Sequence, residues 1–172
     1  MKKYLYILTL CVFALSSCKK DAGPGGTAVQ NMANEWWVQV QTVNPTTGAV
    51  IDNTDKHYYK LSTYNTSDNS STMMWFDDSD AKGYNGEKIK VNVVQSSLTF
   101  SVTNAADVSG NIPAPGTVSV ANGKIIPNGA VGPSSKAVTD AISYDVTLAS
   151  DVTPVIYRFT GYARTRFVGD DH

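Results

Sequence analysis

Hydrolytic chemistry needs a nucleophile beside a base, or a metal, and this sequence offers few bases. Its 2 histidines are His57 and His172, the second being the last residue of 172, where order is not expected. A Ser–His–Asp arrangement would therefore have to use His57, which lies in Asp55-Lys-His-Tyr-Tyr59 on a strand face with Tyr59 and Leu61. No Gly-x-Ser-x-Gly elbow accompanies it. His57 is the one weak catalytic candidate, and the expectation is a structural histidine near a strand end.

The acidic run Asp77-Asp-Ser-Asp80 raises a calcium reading. Aligned from Asp78, Asp80 and Gly83 fit the third and sixth positions of an EF-hand loop, but Lys82 and Ile89 occupy the fifth and twelfth, where oxygen ligands are required. The motif fails, and a solvated hairpin loop is expected with no metal. Glu35 and Glu87 are the only glutamates, and sequence spacing cannot say whether any two carboxyls sit at the separation glycoside cleavage demands. No cofactor is expected.

The remaining reactive group is Cys18. Lys2 and Lys3 precede an apolar run from Tyr4 to Leu15, about a dozen residues, too short to span a bilayer but suited to a signal peptide. It ends in Leu15-Ser16-Ser17-Cys18, a branched apolar residue, two small ones and a cysteine, which resembles the lipobox of bacterial lipoproteins. Residues 1–17 are read as the signal and Cys18 as the lipidated residue. The resemblance implies several acyl chains, which anchor far more firmly than one. The expected location is the cell envelope, as an outer-membrane lipoprotein on either side of that membrane. Cys11 leaves with the signal, so no thiol remains for a disulfide, a metal or catalysis. The signal also removes two of 14 basic residues against 15 acidic ones, and an acidic chain argues against nucleic acid as a partner.

What must position any site is a set of strands. Residues 18–33, with Asp21-Ala-Gly-Pro-Gly-Gly-Thr27, have no apolar period and read as a flexible tether. From 34 to 172 the chain alternates with period two, as in Ile89, Val91 and Val93 against Lys88, Lys90 and Asn92. Strands are expected over 35–42, 56–64, 72–77, 87–94, 98–103, 117–121, 141–149 and 155–167, with a short one at 124–126. Turn-forming clusters such as Asn44-Pro-Thr-Thr-Gly48 separate them. Eight or nine antiparallel strands in one domain suggest a barrel or a sandwich. The stretch Thr72-Met-Met-Trp-Phe76 is apolar on both faces, which fits either a covered strand or an adaptable patch near a ligand mouth.

The two ends carry one more constellation. In Asn34-Glu-Trp-Trp-Val38, Trp36 shares a face with Val38 and Val40, whereas Trp37 falls among Gln39 and Gln41. All three arginines, Arg158, Arg164 and Arg166, lie on one face of the last strand. If first and last strands pair, Arg164 or Arg166 can stack over Trp37 and mark the seam of a closed barrel.

A tryptophan in the first strand and a basic residue in the last resembles the closing signature of the calycins, which include the lipocalins, although the lipocalin Gly-x-Trp is replaced by Asn34-Glu35-Trp36. The chain is also similar to a family of small bacterial lipoproteins described as lipid-binding putative hydrolases. The resemblance rests on the lipobox, Asn34-Glu-Trp-Trp-Val38, Met74-Trp-Phe-Asp77, Lys90-Val-Asn-Val93, Asn122-Gly-Lys124, Thr139-Asp-Ala-Ile-Ser-Tyr144 and Gly161-Tyr-Ala-Arg-Thr165. It implies an all-β fold, a single antiparallel up-and-down β-barrel of about eight strands, and binding of a lipid or small apolar ligand. It supplies no catalytic residues.

The expected lining is Trp36, Val38, Tyr58, Trp75, Phe100, Tyr144, Tyr157 and Phe159, with Met73 at the rim. The same residues could fill a small barrel as core. An apolar ligand, a sugar, an envelope protein partner without any small ligand, and hydrolysis all remain open at this stage.

Overall fold

The computed structural model describes residues 25–172. Signal peptide, lipobox, Cys18 and the start of the tether lie outside the described residues. Nine strands run β1 Asn34–Val43, β2 Val50–Asp52, β3 Tyr59–Asn65, β4 Met73–Asp77, β5 Lys88–Val94, β6 Thr99–Ala106, β7 Thr117–Val131, β8 Val138–Leu148 and β9 Ile156–Ala163, followed by a 3-10 turn at Val168–Asp170. All neighbours are antiparallel, and β1 pairs with β9 from Trp36↔Ala163 to Val43↔Ile156. Eight of the strands thus close an up-and-down barrel, with β2 as a short flap against the end of β1. Closure leaves no open edge at either terminal strand.

Alternation explains the inside. Trp36, Val38 and Val40 of β1, Leu61 of β3, Met74 and Phe76 of β4, Ile89, Val91 and Val93 of β5, Phe100 of β6 and Phe159 of β9 form one buried core. Trp36, Phe76, Phe159, Leu61, Met74, Ile89, Ile125 and Ile142 are each below 2% exposed. The interior is packed by side chains, as small barrels permit. The indole N–H of Trp36 is satisfied by Thr63 Oγ1 at 2.8 Å, and that hydroxyl donates to Met32 O at 2.6 Å.

The structure departs from the expected elements in a physically consistent way. The tether reading stops short of Val29 and Met32, both 1% exposed within the core, so the barrel's packing begins before residue 34. β7 is one strand of 15 residues rather than two pieces, because its interruptions are bulges, between Ala121 and Lys124 and between Ile126 and Ala130. Asn122 and Asn128 sit there at φ 54° and 53°, the left-handed region that asparagine tolerates better than most residues.

Candidate functional site

The first and last strands meet as anticipated, but the cover of Trp37 is different. Trp37 lies on the outer face and is only 3% exposed. Its indole N–H donates to Asp171 Oδ1 at 3.2 Å, the His172 ring meets it edge-on at 5.5 Å, and Lys82 is the cation over the ring at 5.4 Å. Arg164 does not stack on it. Instead Arg164 grips Asp171 through two bonds of 2.6 Å and Glu35 through one of 3.0 Å. Those partners hold the Arg164 guanidinium further above its ordinary range, while Arg164 first and Trp37 after it bring Asp171 down to about 2 despite its partial desolvation. Arg164 and Arg166 lie beyond the end of β9 rather than on its face, and Arg166, at φ 66°, reaches Glu35 only at 3.5 Å. The third arginine, Arg158, pairs with Asp145 at 2.8 Å. His172, expected to be loose, is ordered: it stacks on Tyr58 at 3.9 Å and meets the Tyr162 hydroxyl at 2.8 Å. The C-terminal residues therefore lie over the seam, a role that terminal position in the sequence does not signal.

Of the expected lining, Trp36, Val38, Phe100, Tyr144 and Phe159 are buried inside, and Tyr157 is half-buried against the core. Three residues are corrected. Tyr58 lies outside with His172 and Tyr162, and Tyr59 takes the inward place. The reason is period: Leu61 faces in, so Tyr59 must follow it and Tyr58 cannot. Met73 and Trp75 also face outward, because Met74 and Phe76 are fully buried. On the outer wall Trp75 is flanked by Lys88 and Lys90, whose ammonium groups lie 5.4 and 5.1 Å from its ring centre.

His57 forms no triad. Its side chain is 86% exposed and its Nδ1 contacts Asp55 Oδ1 at 2.9 Å. Among the described residues, no serine hydroxyl is hydrogen bonded to it, and no cluster of metal-ligating side chains appears.

The part of the molecule with unspent chemistry is the barrel end formed by the β4–β5 connection. Here one member of the acidic run departs from the expected solvated loop: Asp78 is 4% exposed while Ser79 and Asp80 face solvent, and Glu87, which no motif marks, is 1% exposed. They are cross-strand neighbours, Asp78 N donating to Glu87 O at 2.7 Å, and continue the inward faces that carry Phe76 and Ile89. Asp78 accepts from the backbone N–H groups of Tyr84 (3.0 Å), Asn85 (2.7 Å) and Gly86 (3.2 Å), so it folds the connection back across the opening. Gly83 permits this, since a Cβ there would come 1.7 Å from Asp78 O. Ser109 and Asn111 of the β6–β7 connection brace the loop through Gly86 O at 2.8 and 3.0 Å.

The folded loop places Tyr84 in the opening. Its ring meets Tyr59 at 4.8 Å, Phe159 at 5.5 Å and Tyr157 at 5.8 Å, while Tyr144 stacks on Phe159 at 4.8 Å beneath. Burial raises the pKa of both Asp78 and Glu87, and for Glu87 the neighbouring Asp78 charge adds to it. Both acids and desolvation push the Tyr144 phenol up, desolvation most. The Asp55 carboxylate, accepting from the Tyr59 hydroxyl at 2.7 Å, lifts that phenol to about 12. The mouth is thus a ring of protonated tyrosines over a coupled carboxyl pair that resists full ionisation.

Surface concavities occur elsewhere among the described residues. One of about 470 Å³ runs along β1, β3 and β4 by Glu35, Tyr64, Asp77 and Arg166. Another of about 400 Å³ lies on the outer wall of β5–β7 by Val94, Phe100 and Lys124.

The profile of the family described as lipid-binding putative hydrolase matches residues 21–168. A crystal structure of a protein of unknown function from Bacteroides ovatus is similar, with a TM-score of 0.43 and 14% identity over 79% of this chain. The present chain spans 42% of that protein's length. No curated protein matches this chain.

Proposed function

The chain belongs to the lipid-binding putative hydrolase family, and on that premise we propose that it is a lipid-anchored lipoprotein of the bacterial cell envelope. Its barrel binds a lipid or small apolar ligand through the tyrosine-ringed end. The observation that carries the reading is the combination found at that end. Tyr59, Tyr84 and Tyr157 are partly buried against the core at that end, with the Tyr84 ring in contact with the other two. Aromatic walls with a few converging polar groups are the usual make-up of sites for small apolar ligands. Cys18 supplies the outer-membrane anchor in this reading.

Mass spectrometry under native conditions, on the Cys18→Ala chain purified without detergent, tests it. A co-purifying mass in the range of a fatty acid or glyceride supports the reading. A bare chain that also fails to take up added lipid removes it. The packed interior supports a second reading, a docking lipoprotein that holds no small ligand, and predicts the bare chain.

A further inference from the structure

Two buried polar side-chain atoms in the β4–β5 connection have no hydrogen-bond partner: Glu87 Oε2, an acceptor, and Asn85 Nδ2, a donor. Glu87 is almost completely buried and belongs to the inward face of β5 with Ile89 and Val91. Asn85 lies near enough to act on the Glu87 carboxyl but not in bonding geometry. Native interiors leave few such atoms unsatisfied, and here an acceptor and a donor go unmatched in the loop that carries Tyr84.

The chemistry that satisfies both is a group that donates and accepts at once. A hydroxyl does so. An ionised carboxylate only accepts, so it cannot match both atoms, and it would have to approach the buried Asp78 carboxylate, which three backbone N–H groups hold. We propose that Glu87 and Asn85 form the head-group end of an amphiphile site selective for neutral, hydroxyl-bearing lipids over fatty-acid anions, with the Tyr84 ring marking where the first part of the acyl chain lies. The proposal rests on the reading of this barrel end as a ligand mouth and adds the class of ligand. The Tyr84 ring packs against those of Tyr59, Tyr157 and Phe159, so its removal would leave an aromatic-walled space in the loop that carries the two unmatched atoms.

The test is calorimetric titration of the full chain carrying Cys18→Ala, at neutral pH, with 1-palmitoylglycerol and with palmitate, each below its aggregation threshold. The glyceride is expected to bind at least tenfold more tightly. Asn85→Ala, a change on a half-buried loop, should cut that preference several-fold, and Glu87→Leu should abolish it. Tyr84→Ala should tighten both lipids and leave their ratio unchanged. Palmitate binding as tightly as the glyceride would overturn the selectivity and leave the ligand mouth standing. Binding of neither lipid, by this chain or with Tyr84→Ala added, would overturn both.

Discussion

At the residue scale the molecule turns on side chains whose neighbours contradict their sequence surroundings. Glu87 sits between Gly86 and Lys88 and looks solvated, yet it is buried against Asp78. A carboxyl whose folded pKa is raised holds a proton that the unfolded chain has released. Its contribution is therefore fully present below the unfolded value of 4.5 and is lost as pH rises through the folded value. Asp107 and Asp171 act in the opposite sense. Both are held at about 2, Asp107 because backbone and Ser109 donors outweigh its burial, so their contribution is lost on acidification below about pH 4. Thermal melts should show a maximum in weak acid and a decline toward pH 8, with roughly 2–4 °C for each kcal/mol lost. Glu87→Gln should flatten the alkaline decline and leave the acid limb alone. An unchanged alkaline limb in that variant would show that Glu87 does not carry the proton. Trp37 is the companion case: Arg164→Gln should loosen Asp171 and shift tryptophan emission to longer wavelength as the tail lifts, and an unmoved spectrum would mean that Lys82 and His172 suffice as cover.

At the scale of elements, the strands whose faces differ in polarity were legible in the sequence. Lys88–Val94 alternates lysine with isoleucine and valine, and its inward set is the buried one. Where both faces are apolar, period two cannot choose. In Met73-Met-Trp-Phe76 the expected lining has Trp75 inward, but the register buries Met74 and Phe76, and Trp75 is covered on the wall by Lys90, directly opposite it, and by Lys88. Tyr58 against Tyr59 was decidable, since Leu61 in the same strand settles the phase. The seam also has a requirement that composition alone hides. Gly161 pairs with Val38 across β1–β9, and a Cβ there would lie 2.1 Å from Trp37 O and 2.8 Å from Val38 Cα. Gly161→Ala should therefore destabilise the barrel by roughly 1–3 kcal/mol, the usual range for overpacking. Denaturant titration measures it, and a loss of under half a kilocalorie would mean that the seam is looser than its geometry.

For the whole molecule, counting alternating segments left a barrel or a sandwich and the resemblance implied the barrel, while the site followed from neither, because it depends on how a loop folds back. The cues for that were a glycine-bracketed tyrosine, Gly83-Tyr-Asn-Gly86, and an aspartate at the end of an inward face, Asp78. The topology also orients the mouth. The chain enters beside Asn34, where β1 meets Thr63 and Arg164, whereas Tyr84 contacts residues that pair with the later part of β1, Tyr59 with Val38 and Phe159 with Val40. The mouth therefore lies toward the end of the barrel away from the start of β1. Cys18→Ala should move the protein from membrane to soluble fractions without lowering its melting temperature, and continued membrane association would contradict the anchor.

The central claim is that ligand enters by displacing Tyr84, and amide hydrogen exchange tests it most directly. The N–H groups of Tyr84, Asn85 and Gly86 are held by Asp78, so their protection reports whether the loop is in place. Saturating 1-palmitoylglycerol should speed exchange at these three amides while the strands stay protected. Bound lipid with exchange at these amides unchanged or slowed would contradict the account.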